Sequence, residues 1–511
     1  MFVQSGGFAY ISFENPQDPE TAPAGYVVNI PDANLKAALN AILANVNGTT
    51  RTPTQNITAG ELRAPNMAHF RDATTLAEKG ITNLEGIQFL TQAQTIRLNN
   101  SNLNVPNRNI IANLEPLKDL KKLTELRLAF NNISNITPLG NITSLKELHL
   151  TSNSAISDIS ALSSLVNLEA IFMSHLPNTK TIEPLRPLTK LRNVQFSSNN
   201  VTDLSPIQGK TTIEYLYINT NKFTNFEVLS TLTNLKNLEI SNTGIKDITV
   251  LAPLTQLQHL SLWFNDQIAD FSTLARLTAL KYLNIQKTNF KDSDVVYIAS
   301  LPALNELRAR ENQLSDLSAL AHYSFVANST FNDQKKTLDT VYVPVIPNPI
   351  KNRDGSIVPV TETADVENVD AAGNPNPNGG YLKIKKTGQG TVTVNWNENA
   401  GINSFSGILT IPYNINLTPP TVTLTSQTPI TATNVSNYTL AGTCSEIGKP
   451  VIIIIGNLSP MTINCEAGGT FSKTGIDVSS LAEGDVAIVA SQTNASNVEG
   501  KVEVTVKKDQ T

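Results

Sequence analysis

The chain has 511 residues, which is too long for one ordinary domain and suggests three or four. Hydrophobic residues make up 40% and charged residues 16%, with a net charge of −5, so a core can form while the basic surface that a nucleic-acid partner demands is missing. The longest uninterrupted apolar run, Val451 to Ile455, falls far short of the ~18 residues that span a bilayer, and the abundant Asn and Thr suit many turns and short strands.

Residues Met1 to Tyr10 have neither the basic flank nor the apolar segment of a secretory signal, which leaves a mature or trimmed form, or a protein that stays inside, as readings. An N-terminal tail covers 1–25 and a helical cap 26–80. Within the cap, Ile30-Pro31-Asp32 followed by Leu35, Ala38, Leu39, Ile42 and Leu43 predicts a capped amphipathic helix, and a second helical stretch is expected from Ala59 to Glu78.

Over 81–325 the template L-x-x-L-x-L-x-x-N-x-L recurs, and its eleven positions are numbered 1 to 11 below. Position 4 falls at Ile96, Leu126, Leu148, Ile171, Val194, Leu216, Leu238, Leu260, Leu283 and Leu307, giving ten repeats. Most spacings are 22 or 23 residues; the first is 30, implying an insertion of about eight residues around Asn104 to Ile111. Each repeat reads as one short strand, a turn, and a return carrying a second apolar set such as Ile136 to Leu139 or Leu204 to Ile207. Stacked repeats pair their strands in parallel and bury the template leucines in a continuous core. The position-9 asparagines, Asn131, Asn153, Asn199, Asn221, Asn265 and Asn312, are placed to satisfy turn backbone groups that would otherwise be buried unpaired. Ser101, Leu176, Thr243 and Thr288 replace them elsewhere, and Leu176, which makes no hydrogen bond, predicts a distorted fourth repeat.

After about Phe325 the 22-residue period gives way to alternating patterns with Pro, Gly and Asn. A first sandwich is expected over 326–416, with strands at Tyr381 to Lys385, Thr391 to Trp396 and Ser406 to Ile411. Thr361 to Gly380 read as a mobile loop within it, or alternatively as a boundary. Leu417 to Pro420 open a second module, 417–511, whose six or seven short strands have the rhythm of an immunoglobulin-like sandwich. The only cysteines, Cys444 and Cys465, lie in this module. On facing strands in an oxidising compartment they would form one disulfide; otherwise they are two buried thiols.

The form Asn-x-Ile-(Ser/Thr)-(Asp/Asn)-Ile-x-Pro-Leu, as in Asn131 to Leu139, resembles the repeats of the bacterial internalin family. Ile30-Pro31-Asp32-Ala33-Asn34-Leu35 is similar to the internalin cap. The run from Phe331-Asn332-Asp333-Gln334 through Lys351-Asn352-Arg353-Asp354-Gly355-Ser356 to Phe405-Ser406-Gly407 resembles the immunoglobulin-like inter-repeat module fused to those solenoids. The last module looks like a bacterial immunoglobulin-like repeat. The resemblance implies an α/β leucine-rich-repeat solenoid with an N-terminal helical cap, followed by two all-β immunoglobulin-like sandwiches. It also implies a secreted or wall-bound protein that binds a receptor on a host or neighbouring cell through its concave face, with a bearing on virulence.

Positions 3, 5, 7 and 8 are expected to point from the strands onto that concave face, because side chains alternate along a strand. There they carry Phe130, Phe172, Tyr215, Tyr217, His259, Trp263, Phe264 and Tyr282. Aromatics exposed together read as a ligand site, most persuasively Tyr215, Tyr217, Trp263 and Phe264. The competing reading is that neighbouring rings shield the strand backbone and that Phe130 or Phe264 turns into the stack. Glu306, Arg308, Arg310 and Glu311 form either a polar rim or a self-paired face. Asn193, Gln195, Asn219, Asn237 and Asn284 flank the aromatics in a way that also suits sugar rings, so a glycan-binding module is the alternative to a protein receptor, and a piece of a surface layer or fibre is the third. No nucleotide-binding or zinc-protease motif occurs, and His149, His175 and His259 have no nucleophile or paired carboxylates placed beside them by sequence, so neither catalysis nor a cofactor or metal is expected. A monomer is expected.

Overall fold

A computed structural model describes residues 18–68, 76–325, 328–398, 404–425 and 427–510. The helix α1, Ala33–Asn47, starts where the Asp32 carboxylate accepts the backbone N–H groups of Asn34 and Leu35, and stops at Gly48, whose φ of 61° is left-handed. Its periodic residues Leu35, Leu39, Ile42 and Leu43 are buried. The second helical stretch is shorter than expected: α2 spans Ala59–Leu62, a 3-10 turn follows at Pro65–Ala68, and the remainder of the expected stretch up to residue 75 lies outside the described residues. Proline at residue 65 removes a helical hydrogen bond.

Ten three-residue strands, β1 to β10, centre on the position-4 residues and pair in parallel in chain order. Ile96 pairs with Leu126, Leu126 with Leu148, and so on to Leu283 with Leu307, without a slip. Every one of these side chains is at most 1% exposed. On the opposite side of each coil the chain returns through short 3-10 turns such as Thr137–Asn141 and Ser205–Ile207, which bury Leu139 and Ile207.

The asparagine ladder works as a two-way clamp. Asn153 Nδ2 donates to the carbonyl of Leu150 in its own repeat and to that of Leu128 in the one before, while its Oδ1 accepts Ile133 N–H. Thr243 and Thr288 substitute in part by donating a hydroxyl to the carbonyls of Ile240 and Ile285. In the fourth repeat Leu176 is buried, and Asn199 of the next repeat reaches back to accept its N–H at 2.8 Å, so the turn is rebuilt around an apolar side chain.

The first repeat corrects the sequence reading. Ser101 is exposed, and the ladder position belongs to Asn109, which is fully buried. Asn109 Nδ2 donates to Leu76 O and Leu98 O, and its Oδ1 accepts from Lys79 and Ile81 N–H. The inserted residues therefore lie between the strand and the asparagine, and Ile111, buried at position 11, is part of the repeat itself. Leu76, Glu78 and Ile81 occupy positions 6, 8 and 11 of a partial repeat before the first.

Position 8 carries a second regularity. From Phe130 to Glu311 all nine residues at this position are non-glycine yet have φ between 52° and 62°. A left-handed residue costs roughly 1–2 kcal/mol, and the repeat offsets it by turning the chain sharply while the position-8 N–H still donates to the next repeat, as from Thr220 to Ser241 O at 2.8 Å.

The chain divides into two compact units, the first reaching Asn312 and including His322–Thr330, the second comprising Gln313–Ala321 and Phe331–Thr511. The second unit opens with β11, Phe331–Thr337. There Asp333 is left-handed and the buried Gln334 donates to Phe331 O and accepts Leu314 N–H, so the template geometry persists past the last leucine repeat. In the first sandwich, β11 pairs with β16 (Phe405–Ile415), which pairs with β15 (Gly388–Glu398). The other sheet joins β12 (Val345–Pro347), β14 (Tyr381–Ile384) and β13 (Val366–Val369). Thr361 to Gly380 is therefore not one continuous loop, because β13 lies within it. Its Val366 and Val369 are buried, and Asn368 bonds both the N–H and the carbonyl of Val360.

The connecting segment is fastened to the last sandwich by Asn494, which donates to the carbonyls of Asn416 and Thr418. That sandwich packs β17 (Val422–Leu424), β18 (Tyr438–Cys444) and β21 (Thr470–Ile476) against β20 (Met461–Asn464), β19 (Pro450–Ile455), β22 (Gly484–Thr493) and β23 (Glu499–Lys508). Cys444 and Cys465 form a disulfide with Cα atoms 6.0 Å apart. No helix among the described residues is long and apolar enough to cross a membrane.

The displaced ladder position yields a direct test. Asn109→Ala should lower unfolding stability by about 1–3 kcal/mol, as should Asn131→Ala, because each orphans buried backbone groups. Ser101→Ala should stay within about 0.5 kcal/mol of wild type in urea titrations. Equal effects at 101 and 109 would reject the assignment.

Candidate binding face

Strand residues at positions 3 and 5 flank each buried position-4 residue, so the register alone lines up two rows of side chains on the open face of the parallel sheet. Their character changes along the solenoid. Over the first three repeats the rows hold charge: Arg97 Nε contacts Glu125 Oε1 at 3.0 Å, Arg127 bridges Glu125 and Glu147 at 2.6 and 2.9 Å, and His149 Nε2 donates to Glu147 Oε1 at 2.6 Å. A carboxylate only accepts, so Nε2 carries the hydrogen. The His149 ring hydrogen bond holds the Glu147 carboxyl below the usual glutamate range, with the charge of His149 and of Arg127 adding to it against burial. The Phe172 ring lies flat on His149, 4.0 Å between centroids. This charged network escaped the sequence reading, although laying positions 3 and 5 side by side across adjacent repeats pairs its members.

From the sixth repeat the face becomes aromatic. Tyr215 and Tyr217 are half-buried on one strand. Burial pushes the phenols of Tyr217 and Tyr282 up, keeping both neutral hydrogen-bonding groups. His259 is exposed and stacks on Tyr282 at 5.6 Å, and the Arg308 guanidinium sits 5.2 Å from the other partner of that stack, the Tyr282 ring. Arg308 is also paired with Glu306 at 2.8 Å. Trp263 and Phe264 are 48% and 41% exposed, large values for such rings in a folded chain. They meet edge to face at 6.3 Å, and Lys287 places its ammonium 4.0 Å from the Phe264 centroid.

The eight expected aromatic and imidazole side chains do not form one stripe. Phe130 and Phe264 stand at position 8, where φ of 62° and 61° ends the strand alternation, so both occupy the corner of the repeat rather than the strand face. Neither turns into the stack: Phe264 is exposed and Phe130 half-buried. Phe172 belongs with the charged end. Tyr215, Tyr217, His259, Trp263, Phe264 and Tyr282 all fall in the sixth to ninth repeats.

Trp263 also borders a cleft of about 250 Å³, lined by Asn219, Thr220, Ser241, Asn242 and Phe264. It exists because positions 7 and 8 of the two preceding repeats carry small polar residues beside a large ring. Side chains at position 7 bind backbone along the row: Ser197 Oγ of the fifth repeat accepts Asn219 N–H, and Asn219 Oδ1 accepts Ser241 N–H.

A leucine-rich repeat region family matches residues 115–346. Among solved structures, an internalin (InlF) of Listeria monocytogenes is 27% identical, with 59% of this chain and 89% of that one covered and a TM-score of 0.47. An internalin C2 of the same species is 28% identical over 50% of this chain and 98% of that one, with a TM-score of 0.36. A leucine-rich-repeat protein of Leptospira interrogans is 19% identical over 55% and 82%, with a TM-score of 0.35. The comparison with curated proteins gives no match. The repeat register and the family match together define the class of this part of the molecule: residues 115–346 form a leucine-rich-repeat region. Over the matched part it is similar to the internalins named above.

Glu147 sets a pH dependence. Its pKa is lowered in the folded state, so its contribution to stability is present above the unfolded glutamate value and is lost as pH falls through the depressed folded value. Glu147→Gln should therefore melt below wild type at neutral pH, and the gap should close under strongly acidic conditions. A gap independent of pH would show that the network does not act through the carboxylate charge.

Proposed function

We propose that this chain is a non-catalytic recognition protein, secreted or held at the cell surface, that binds a protein of a host or neighbouring cell on its concave face. The observation that carries this reading is the exposure of Trp263 and Phe264 on the eighth repeat, among strands of the sixth to ninth repeats that present Tyr217, His259 and Tyr282. Exposed aromatics grouped on a face are characteristic of interfaces, where Trp, Tyr and Arg dominate the binding energy. Ten strands about 4.8 Å apart give an arc of roughly 45 Å, enough for an interface of about 800 Å² per partner. The charged first repeats suit a polar rim, because their ion pairs satisfy one another without a partner. The Cys444–Cys465 disulfide supports an oxidising compartment outside the cytosol. In this reading the two sandwiches hold the solenoid away from its anchor, and the chain acts as a monomer without a cofactor.

The test is an array of extracellular protein domains probed with the full chain, wild type against a Tyr217→Ala, Trp263→Ala double variant of matching melting temperature. Two truncated hot spots should weaken binding by about 100-fold or more. A control at the exposed Val296, away from the concave face, should bind as wild type. A folded double variant that keeps full affinity would place the contact elsewhere.

A further inference from the structure

We infer that the cleft beside Trp263 is a sugar subsite that takes one neutral hexopyranose ring. The wall is an indole and a phenyl ring, 48% and 41% exposed and set edge to face, so that the indole offers its own flat apolar face with the phenyl ring standing across it. A pyranose is one of few small neutral ligands with a matching face of C–H groups on one side and hydroxyls all around its edge. The rest of the cleft supplies what such hydroxyls need. Thr220 and Asn242 are exposed on its rim, so a hydroxyl and a carboxamide can each donate and accept there. Behind them Ser241 shares a 2.9 Å hydrogen bond with Ser261, and the Asn219 amide is held by Glu239 Oε2 and Ser241 N–H, which fixes the floor before any ligand arrives.

Charge argues the same way. The six lining residues carry none; beyond them Lys287 is engaged over the Phe264 ring and the Glu239 carboxylate holds the Asn219 amide. An anionic or cationic ligand would find no counter-charge among the lining residues, and an aliphatic side chain would leave the rim unused. The left-handed turns matter too: Thr220, Asn242 and Phe264, with φ of 55°, 52° and 61°, present their side chains at the corner of three successive repeats, clear of the strand rows that hold Tyr217 and Tyr282. The subsite is thus distinct from the strand face and does not rest on the protein-partner reading, though a glycosylated protein would fill both.

The chain carries its own reporter. Of its two tryptophans, Trp396 is 1% exposed within the first sandwich, so a ligand-dependent change in fluorescence reports on Trp263. Titration of the full chain with the methyl glycosides of glucose, galactose, mannose, N-acetylglucosamine and N-acetylgalactosamine should give a saturable change for at least one, with a dissociation constant in the millimolar range typical of so small a ligand. A Thr220→Ala, Asn242→Ala variant keeps the indole but removes the rim, and should bind that sugar about tenfold or more weakly. Saturation-transfer NMR on Trp263→Ala, where fluorescence is silent, should show the sugar signal lost. No response to any of the five glycosides at about 100 mM, or a response unchanged in the rim variant, would overturn the subsite. Because free sugars are read without a protein partner, this failure is separable from failure on the protein array.

Discussion

The structure rests on one recurring hydrogen-bonded clamp: a buried asparagine amide that ties the carbonyl of its own repeat to the carbonyl and N–H of the repeat before. Strands of three residues are too short to hold a sheet together, and the clamp carries the ladder past the strand end into a left-handed turn. The turn costs backbone strain nine times over, and leucines at positions 1, 4 and 6 offset it by their burial in a continuous core. Where the asparagine is missing, the chain compensates in ways that follow from chemistry. Threonine supplies one hydroxyl, leucine is swallowed by the core, and at the insertion the amide reappears eight residues later as Asn109.

Because the clamp and the leucines take up every inward position, the outward ones are free to vary, and their variation is what distinguishes one region of the face from another. The first three repeats neutralise themselves, with two arginines, two glutamates and a histidine linked in one chain of contacts. The sixth to ninth repeats do the opposite, leaving rings in solvent that a solitary protein would gain by covering. The same backbone thus offers a polar end whose charges pair among themselves and an aromatic end whose Trp263 and Phe264 rings stay exposed. The left-handed corner adds a separate shelf, where small side chains next to Trp263 leave a cleft open.

Much of this was legible in the residues. A 22-residue period places Ile96 through Leu307 in register, because a parallel stack leaves no freedom to slip, and the helix cap at Asp32 follows from its chemistry. The failures have physical causes. Template counting assigned position 9 of the first repeat to Ser101 because an insertion inside the turn shifts the amide without shifting the strand. Alternation was extended one residue too far, to Phe130 and Phe264, since nothing in a non-glycine side chain announces a positive φ. The strand at Val366–Val369 was hidden by the Asn, Pro and Gly around it, and β20, only four residues long, was not separated from its neighbours. The links that join the ion pairs of the first repeats, Arg97 to Glu125 and Arg127 to Glu147, are contacts between repeats, invisible to a reading that follows one repeat at a time.

The central claim is that the aromatic end of the concave face is covered when the protein engages its partner. Acrylamide quenching of Trp263 in the full chain, free and saturated with a protein selected from the extracellular array, measures this directly, with the buried Trp396 as an internal reference. The account predicts that Trp263 is readily quenched in the free chain and strongly protected in the complex. Equal quenching in both states would show that the partner docks elsewhere.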